Sequence, residues 1–233
     1  MSRKETVSTE TAFRSSPLMA GLSAREIELI RTSFSRREVD SGVYVFRQGE
    51  PALVYYLLLE GLVKGVQSGP EGSEVLLHLL GPGDLIGALP TPGRSSYPGS
   101  AIALSRLVLL AIPAREFERL LQDYPQVAIN LLRSAAGRLQ EVHARLREAS
   151  TLLAEQRIAR TLLRLLPLCG EACAEGIAFD LPLSRRDLAG ISGTTTYTVS
   201  RTLRAWERQG WLRSGRRRLM LLSPCALEQA CGE

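Results

Sequence analysis

The chain has 233 residues, with 29 Lys and Arg against 24 Asp and Glu, a formal charge of +5 and 45% hydrophobic residues. A chain of this length forms one large domain or two ordinary ones with a buried core, and the composition excludes wholesale disorder. The apolar runs are far too short to cross a bilayer, and the polar N-terminus lacks a secretory apolar segment. We therefore expect a cytoplasmic protein without a membrane partner.

A loose arm and a short helix are predicted to come first. Residues 1–16 are polar and are predicted to be disordered or loosely held. Ser23 followed three residues later by Glu26 is the signature of a capping box. Because the apolar residues Ile27, Leu29 and Ile30 follow, the pattern predicts an amphipathic helix here.

From about Val39 to Ile112, short apolar runs alternate with glycines, which is typical of β-strands joined by tight turns. Many short strands at even spacing predict an antiparallel barrel or jelly roll, here a first domain over residues 17–122. The predicted strands are Val43–Phe46, Tyr55–Leu59, Leu62–Val66, Val75–Leu79, Ala101–Leu104 and Leu107–Ala111.

A helix over residues 113–122 and a long helix over residues 123–153 are predicted next. Apolar residues in the long helix recur at alternating spacings of three and four, the a and d pattern of a coiled coil. The pattern predicts a parallel two-stranded coiled coil and hence a homodimer; a helix packed on its own barrel is the alternative. The predicted interface consists of Leu132, Ala135, Leu139, Val142, Leu146, Ala149 and Leu153.

Two short helices joined by a small-residue turn are predicted within residues 154–233. Ser184 begins a capping box for the first helix, which is expected to end near Gly190, and Gly193 is the turn. The second helix is predicted over residues 195–209, with Thr194 or Thr195 as its N-cap. A hairpin with its turn at Ser214-Gly215 follows, which completes a winged helix-turn-helix. A helix over residues 154–166 and a connection of small residues over residues 167–180 are predicted to precede it.

This C-terminal segment is also basic, with nine arginines against three acidic residues in residues 180–220. Such a charge excess is expected of a nucleic-acid-binding module. The outer face of the second helix is predicted to contact bases through Thr196, Tyr197, Ser200 and Arg201, with a phosphate contact as the alternative for Tyr197. The predicted phosphate contacts are Arg185, Arg186, Thr195, Arg204, Arg217 and Arg218.

The order of these parts resembles the Crp/Fnr superfamily of bacterial transcription regulators. Three motifs carry the resemblance: Phe46-Arg47-Gln48-Gly49-Glu50, Gly81-Pro82-Gly83-Asp84-Leu85-Ile86-Gly87 and Thr198-Val199-Ser200-Arg201. The resemblance implies an α+β protein with an N-terminal β jelly roll of the cyclic-nucleotide-binding type, a long dimerisation helix and a C-terminal winged helix-turn-helix. It further implies a homodimer on a palindromic site in double-stranded DNA, and a contact with RNA polymerase if the protein is an activator.

The sequence departs from the cyclic-nucleotide-binding members of that superfamily. Those members hold the ribose with a Gly-Glu pair and the phosphate with an Arg-Ser/Thr-Ala segment, where this chain has Gly87-Ala88-Leu89 and Gly99-Ser100-Ala101. Because a buried phosphate without a paired cation is costly, cAMP is not expected to bind. The candidate effector-pocket residues are Gly87, Ala88, Leu89, Ser100, Ala101 and His143.

The sequence also has few residues that could ligate the other cofactors used in the superfamily. No cysteine precedes Cys169, which argues against an N-terminal iron–sulfur cluster. A haem is not expected either, because His78 and His143 are its only candidate axial ligands in residues 1–168. The cofactor is therefore left unknown. A regulator without an effector and a haem- or redox-responsive regulator are the alternatives. The sequence shows no nucleophile–base set or phosphate-binding loop, so we expect no enzyme activity.

Overall fold

The computed structural model describes residues 9–69, 74–87, 96–179, 183–215 and 218–231. The chain divides into two compact units, residues 1–139 and 140–233. No helix in the described ranges is both long enough and apolar enough to span a membrane.

The first unit contains two four-stranded antiparallel sheets. Its strands are β1 (Ser35–Val39), β2 (Tyr44–Phe46), β3 (Val54–Glu60), β4 (Val63–Ser68), β5 (Glu74–Leu80), β6 (Leu85–Ile86), β7 (Ser100–Ala103) and β8 (Leu107–Pro113). One sheet has the order β1-β8-β3-β6 and the other the order β2-β7-β4-β5. The predicted antiparallel β fold of the N-terminal part is thereby confirmed. The strands β1 and β6 were not predicted, because β1 is mostly exposed and charged and β6 has only two residues.

Alternation along β3 explains how one strand serves two cores. Leu57 and Leu59 belong to an apolar cluster that includes the helices of this unit, whereas Leu58 belongs to a second cluster formed with the other sheet. Successive side chains of a strand point to opposite faces, so a strand buried on both faces is apolar throughout. β8 follows the same rule, which accounts for its unbroken apolar sequence.

The helices of the first unit are α1 (Thr9–Arg14), α2 (Ala24–Thr32), α3 (Ala114–Asp123) and the start of α4 (Pro125–Thr151). The capping box between Ser23 and Glu26 is confirmed, but Leu29, expected on the apolar face, is 53% exposed because it lies on the opposite side from the buried Ile27 and Ile30. The predicted loose arm is wrong over residues 9–16, since α1 forms there and the ring of Phe13 is fully buried. A single phenylalanine among polar residues gives no periodic pattern, so the sequence did not predict this helix.

The helix α4 ends two residues before the predicted interface residue Leu153. Ser150 and Thr151 donate their side-chain hydroxyls to the carbonyls of Leu146 and Arg147, at 3.1 and 2.9 Å. Leu153 itself has extended backbone (φ −64°, ψ 152°) and caps the next helix. The prediction that Leu153 continues the apolar stripe of the long helix is therefore wrong.

The second unit combines the rest of α4 with four helices and a four-stranded sheet. The elements are α5 (Ala154–Cys169), β9 (Gly170–Cys173), β10 (Gly176–Phe179), α6 (Arg185–Ser192), α7 (Thr196–Arg208), β11 (Leu212–Gly215), β12 (Arg218–Leu221) and α8 (Pro224–Ala230). The sheet has the order β11-β12-β10-β9.

Two predictions in this unit need correction. The helix predicted to end near Leu166 continues to Cys169, with Pro167 inside it, and the connection that follows contains the hairpin of β9 and β10. Ser214 and Gly215 belong to β11 rather than to the turn, since Gly215 pairs with Arg218. The wing hairpin is therefore one half of a larger sheet whose other half the sequence did not reveal.

Candidate DNA-binding surface and effector cavity

The helix-turn-helix is positioned by local capping signals. The Ser184 hydroxyl accepts a hydrogen bond from the Asp187 backbone N–H at 3.1 Å, and the Asp187 carboxylate accepts one from the Ser184 N–H at 2.8 Å. Gly193 ends α6 in the left-handed conformation (φ 59°). The Thr195 hydroxyl then accepts from the N–H of Thr198 at 3.1 Å and starts α7. The predicted starts of both helices and the glycine turn are confirmed.

The helix α7 has one buried face and one exposed face. Val199, Leu203 and Trp206 are at most 2% exposed, and the Trp206 indole N–H donates to the Glu155 carboxylate at 2.7 Å. This contact fixes α7 against the start of α5. Because the apolar side faces inward, the opposite side of the helix faces solvent.

The four predicted base-contacting residues lie on that outer side. Thr196, Tyr197 and Arg201 are exposed, Tyr197 by 74% of its surface, and Ser200 is half-buried. Of the residues predicted to contact phosphates, Arg185, Arg186, Thr195 and Arg204 are exposed. Arg185 donates to the Ser200 hydroxyl at 3.4 Å, which brings the start of α6 next to α7. Arg217 and the side chain of Arg218 lie outside the described residues.

Arg157, which the sequence analysis did not single out, joins the end of α4 to the turn of the helix-turn-helix. Its guanidinium donates to the carbonyls of Ser192 and Gly193, both at 3.0 Å, and to those of Leu152 and Ala149, at 3.0 and 3.4 Å. The last carbonyls of a helix carry partial negative charge and lack partners within the helix. One cation therefore satisfies the ends of two helices.

A buried carboxylate makes a second connection at the same place. Glu148 of α4 has a side chain only 7% exposed and accepts from Arg164 of α5 at 2.8 and 3.0 Å. Arg160 lies 3.6 Å from the same carboxylate. Since a buried carboxylate requires paired charge, these contacts hold the last turns of α4 against α5.

The predicted dimer stripe of α4 is largely open to solvent. Leu132, Leu139, Val142 and Leu146 are between 49% and 69% exposed. Ala149 is also exposed and Ala135 is half-buried. Apolar side chains aligned along one helix and left uncovered are typical of an interaction surface.

A cavity of about 290 Å³ lies in the first unit. Three predicted pocket residues, Gly87, Ser100 and Ala101, line it. Ala88 and Leu89 lie outside the described residues. His143 is exposed and belongs to the second unit, so its role as an effector contact stays a prediction.

Two polar side chains line this cavity that were not predicted to do so from the sequence. Arg138 lines it and donates to the Asp84 carboxylate at 3.0 Å and to the Leu85 carbonyl at 3.2 Å. His78 also lines it, and its ring lies directly against Gly65 of the neighbouring strand. Ser100 is already engaged, since its hydroxyl accepts from the Gln48 N–H at 2.9 Å.

An aromatic stack borders the cavity on the side of Phe46. The rings of Phe46 and Tyr97 are stacked with centroids 3.7 Å apart. Burial raises the pKa of Tyr97 to about 12, and its hydroxyl donates to the Val54 carbonyl at 2.6 Å. Tyr97 therefore stays neutral and has a structural role. Across the described ranges, His, Cys, Asp and Glu side chains form no group able to hold a metal ion.

A β-sandwich unit with an internal cavity, followed by a helix-turn-helix unit with an exposed basic face, defines the class of two-part DNA-binding regulators. Residues 36–124 match the cyclic nucleotide-binding domain family, and residues 156–230 match the Crp-like helix-turn-helix domain family. The chain belongs to the Crp/Fnr family and is a transcription regulator of that type.

Three relatives illustrate this membership. The cyclic AMP receptor protein of Thermus thermophilus is 33% identical over 203 residues, which cover 87% of this chain and 91% of that protein. The nitrogen fixation regulation protein FixK of Bradyrhizobium diazoefficiens is 27% identical over 224 residues, covering 94% and 92%. The crystal structure of a CRP-family transcriptional regulator, also from Thermus thermophilus, superposes with a TM-score of 0.72 at 28% identity, covering 84% and 97%.

Proposed function

We propose that the protein is a sequence-specific regulator that binds, as a homodimer, a palindromic operator in double-stranded DNA. The observation that carries the proposal is the outer face of α7, where Thr196, Tyr197, Ser200 and Arg201 lie together opposite a buried apolar face. A helix of this kind fits the major groove, where a guanidinium can contact guanine in bidentate fashion. The flanking cations proposed to contact phosphates are Arg185, Arg186, Arg204, Arg217 and Arg218, together with the Thr195 hydroxyl.

The role of Arg201 is tested on an operator selected by the purified protein from random DNA. Arg201→Ala is expected to lower discrimination at one base pair by about 1–3 kcal/mol. Arg208→Ala, an exposed arginine at the far end of the same helix, is the matched control and is expected to leave base preference unchanged. A uniform loss of affinity for all sequences in Arg201→Ala would make Arg201 a phosphate contact. Failure of the wild type to select any site would contradict the proposal.

The homodimer is proposed to form through the exposed stripe Leu132, Ala135, Leu139, Val142, Leu146 and Ala149. Leu146→Glu puts a charge into this stripe, where burial of an unpaired carboxylate is costly, and is expected to weaken dimerisation at least tenfold in sedimentation equilibrium. Leu53→Glu, at a leucine that is equally exposed but lies in the first unit, should have no effect. A wild type that sediments as a monomer at micromolar concentration, with or without operator DNA, would exclude a dimer.

The cavity of the first unit is proposed as the effector site, with Gly87, Ser100 and Ala101 in its wall and Ala88, Leu89 and His143 as further candidates. cAMP is not proposed as the effector, because the carboxylate and guanidinium expected for it are absent from the two motif segments. Saturating cAMP should therefore change operator affinity by less than twofold. The proposal includes a cytoplasmic location, no catalytic activity, and a contact with RNA polymerase if the regulator is an activator.

A further inference from the structure

We propose that the cavity of the first unit binds a small organic anion with an apolar body, and that this anion competes with Asp84 for the guanidinium of Arg138. The inference rests on the proposed function only in treating this cavity as the effector site. It concerns the chemistry of the ligand and the ion pair that the ligand replaces.

The apolar body of the proposed ligand is inferred from the volume and the lining of the cavity. Its volume of about 290 Å³ is at the lower end of small-molecule sites. Most of the described lining side chains are apolar, namely Phe46, Val66, Leu77, Leu80, Leu85, Ile86 and Pro98. Three glycines, Gly65, Gly87 and Gly99, complete the wall and bring it close to the backbone. The cavity therefore suits a compact aromatic or branched aliphatic group.

The negative charge of the ligand is inferred from Arg138, the one charged side chain among the described lining residues. Its hydrogen bonds to described residues use a single nitrogen, Nη2, which donates to Asp84 and to the Leu85 carbonyl. A guanidinium offers five N–H donors in a fork that matches a carboxylate or sulfonate. Within the described ranges no group accepts a hydrogen bond from Nε or Nη1, and these donors are the ones proposed to bind the ligand. His78 supplies a second polar group on the same wall.

A ligand anion can replace Asp84 as the partner of Arg138 at little cost. The side chains of Asp84 and Arg138 are 36% and 39% exposed, and an ion pair so open to water contributes little to stability. The second carboxylate oxygen of Asp84 accepts from the Gly81 backbone N–H at 2.8 Å, so the turn keeps this contact after Arg138 leaves. An anion deeper in the apolar cavity has less water around it, and its attraction to Arg138 is correspondingly stronger.

The test uses two fluorescent probes that share a ring system and differ in charge. 1-Anilinonaphthalene-8-sulfonate carries one sulfonate, and N-phenyl-1-naphthylamine is neutral. Arg138→Gln is expected to weaken binding of the sulfonate at least tenfold and to change binding of the neutral probe by less than twofold. Asp84→Asn removes the competitor and is expected to tighten sulfonate binding severalfold. Arg133→Gln, an exposed arginine on the same helix outside the cavity lining, is the matched control and should behave as the wild type.

Opposite signs for Arg138→Gln and Asp84→Asn, limited to the anionic probe, support the proposal. Equal loss of both probes in Arg138→Gln, or weaker sulfonate binding in Asp84→Asn, overturns it. Leu77→Trp fills the cavity and should abolish binding of both probes. Sulfonate binding that survives this change lies elsewhere and also overturns the proposal.

Operator affinity is measured separately on the same proteins. If the protein binds its operator but the probes do not behave as expected, the proposed ligand class is refuted and the proposed function is not. If the probes behave as expected but the protein binds no operator, the proposed function is refuted and the ligand class is not.

Discussion

Replacing Arg157 with Gln should destabilise the second unit by about 3 kcal/mol. The variant loses four hydrogen bonds to backbone carbonyls, of which those to Ser192 and Leu152 are partly buried and those to Gly193 and Ala149 are exposed. Water replaces the exposed pair at little cost. Each partly buried bond from a charged donor contributes about 1.5 kcal/mol at the low end of its range, so the two together give about 3 kcal/mol.

The measurement is urea unfolding of the intact chain followed by tryptophan fluorescence. Both tryptophans, Trp206 and Trp211, are in the second unit, so their emission reports the unfolding of that unit. Arg147→Gln, an exposed arginine near the end of α4, is the matched control and should stay within about 0.5 kcal/mol of the wild type. If Arg157→Gln and Arg147→Gln have the same midpoint and slope, the role given to the four carbonyl contacts is refuted.

Three further predictions concern single side chains or one backbone position. Glu148→Gln should destabilise the second unit by about 1–3 kcal/mol in the same urea experiment, because a neutral amide replaces the buried carboxylate that accepts both hydrogen bonds from the exposed Arg164; a neutral result would contradict the role given to this ion pair. Gly193→Ala should lower the free energy of unfolding by about 1–2 kcal/mol, because φ is 59° at this residue. An added Cβ meets no atom within 4 Å, so the loss comes from backbone conformation alone. Unchanged thermal stability would refute the left-handed cap. Hydrogen bonds from the side chain and backbone of Ser23 lower the pKa of Glu26. This contribution is present at neutral pH and is lost as the pH falls through the folded-state pKa. Carboxyl titration by NMR should therefore show a higher pKa for Glu26 in Ser23→Ala, and an unchanged pKa would contradict the capping box.

Local signals in the sequence predicted the helix-turn-helix closely. The Ser184 cap, the Gly193 turn and the threonine cap of α7 act over three or four residues, so the residue types alone mark them, although α6 extends two residues beyond the end expected near Gly190. The apolar runs of β3 and β8 were likewise visible as strands. Such features were predictable because each depends on neighbours in the chain.

Features that depend on distant backbone were not predictable. Arg157 binds carbonyls 35 and 36 residues away, and a carbonyl is present at every residue, so no residue type signals the partner. In the sequence, Arg138 occupies a polar position of a predicted coiled-coil helix. The fold brings it next to Asp84, which is 54 residues away in the chain, and thereby places it in the cavity wall. The hairpin of β9 and β10 was missed because each strand has only four residues and Ile177 is the one β-branched residue among them.

The packing of His78 on Gly65 has an evolutionary consequence. The two residues face each other across β4 and β5, and a Cβ added to Gly65 would lie 2.5 Å from the imidazole Nε2. Any side chain at position 65 therefore requires the ring at position 78 to move or to be replaced. The two sites should be coupled: the stability change caused by Gly65→Ala should be smaller in a His78→Ala background than in the wild type. In related sequences, the identity of either residue should constrain the other.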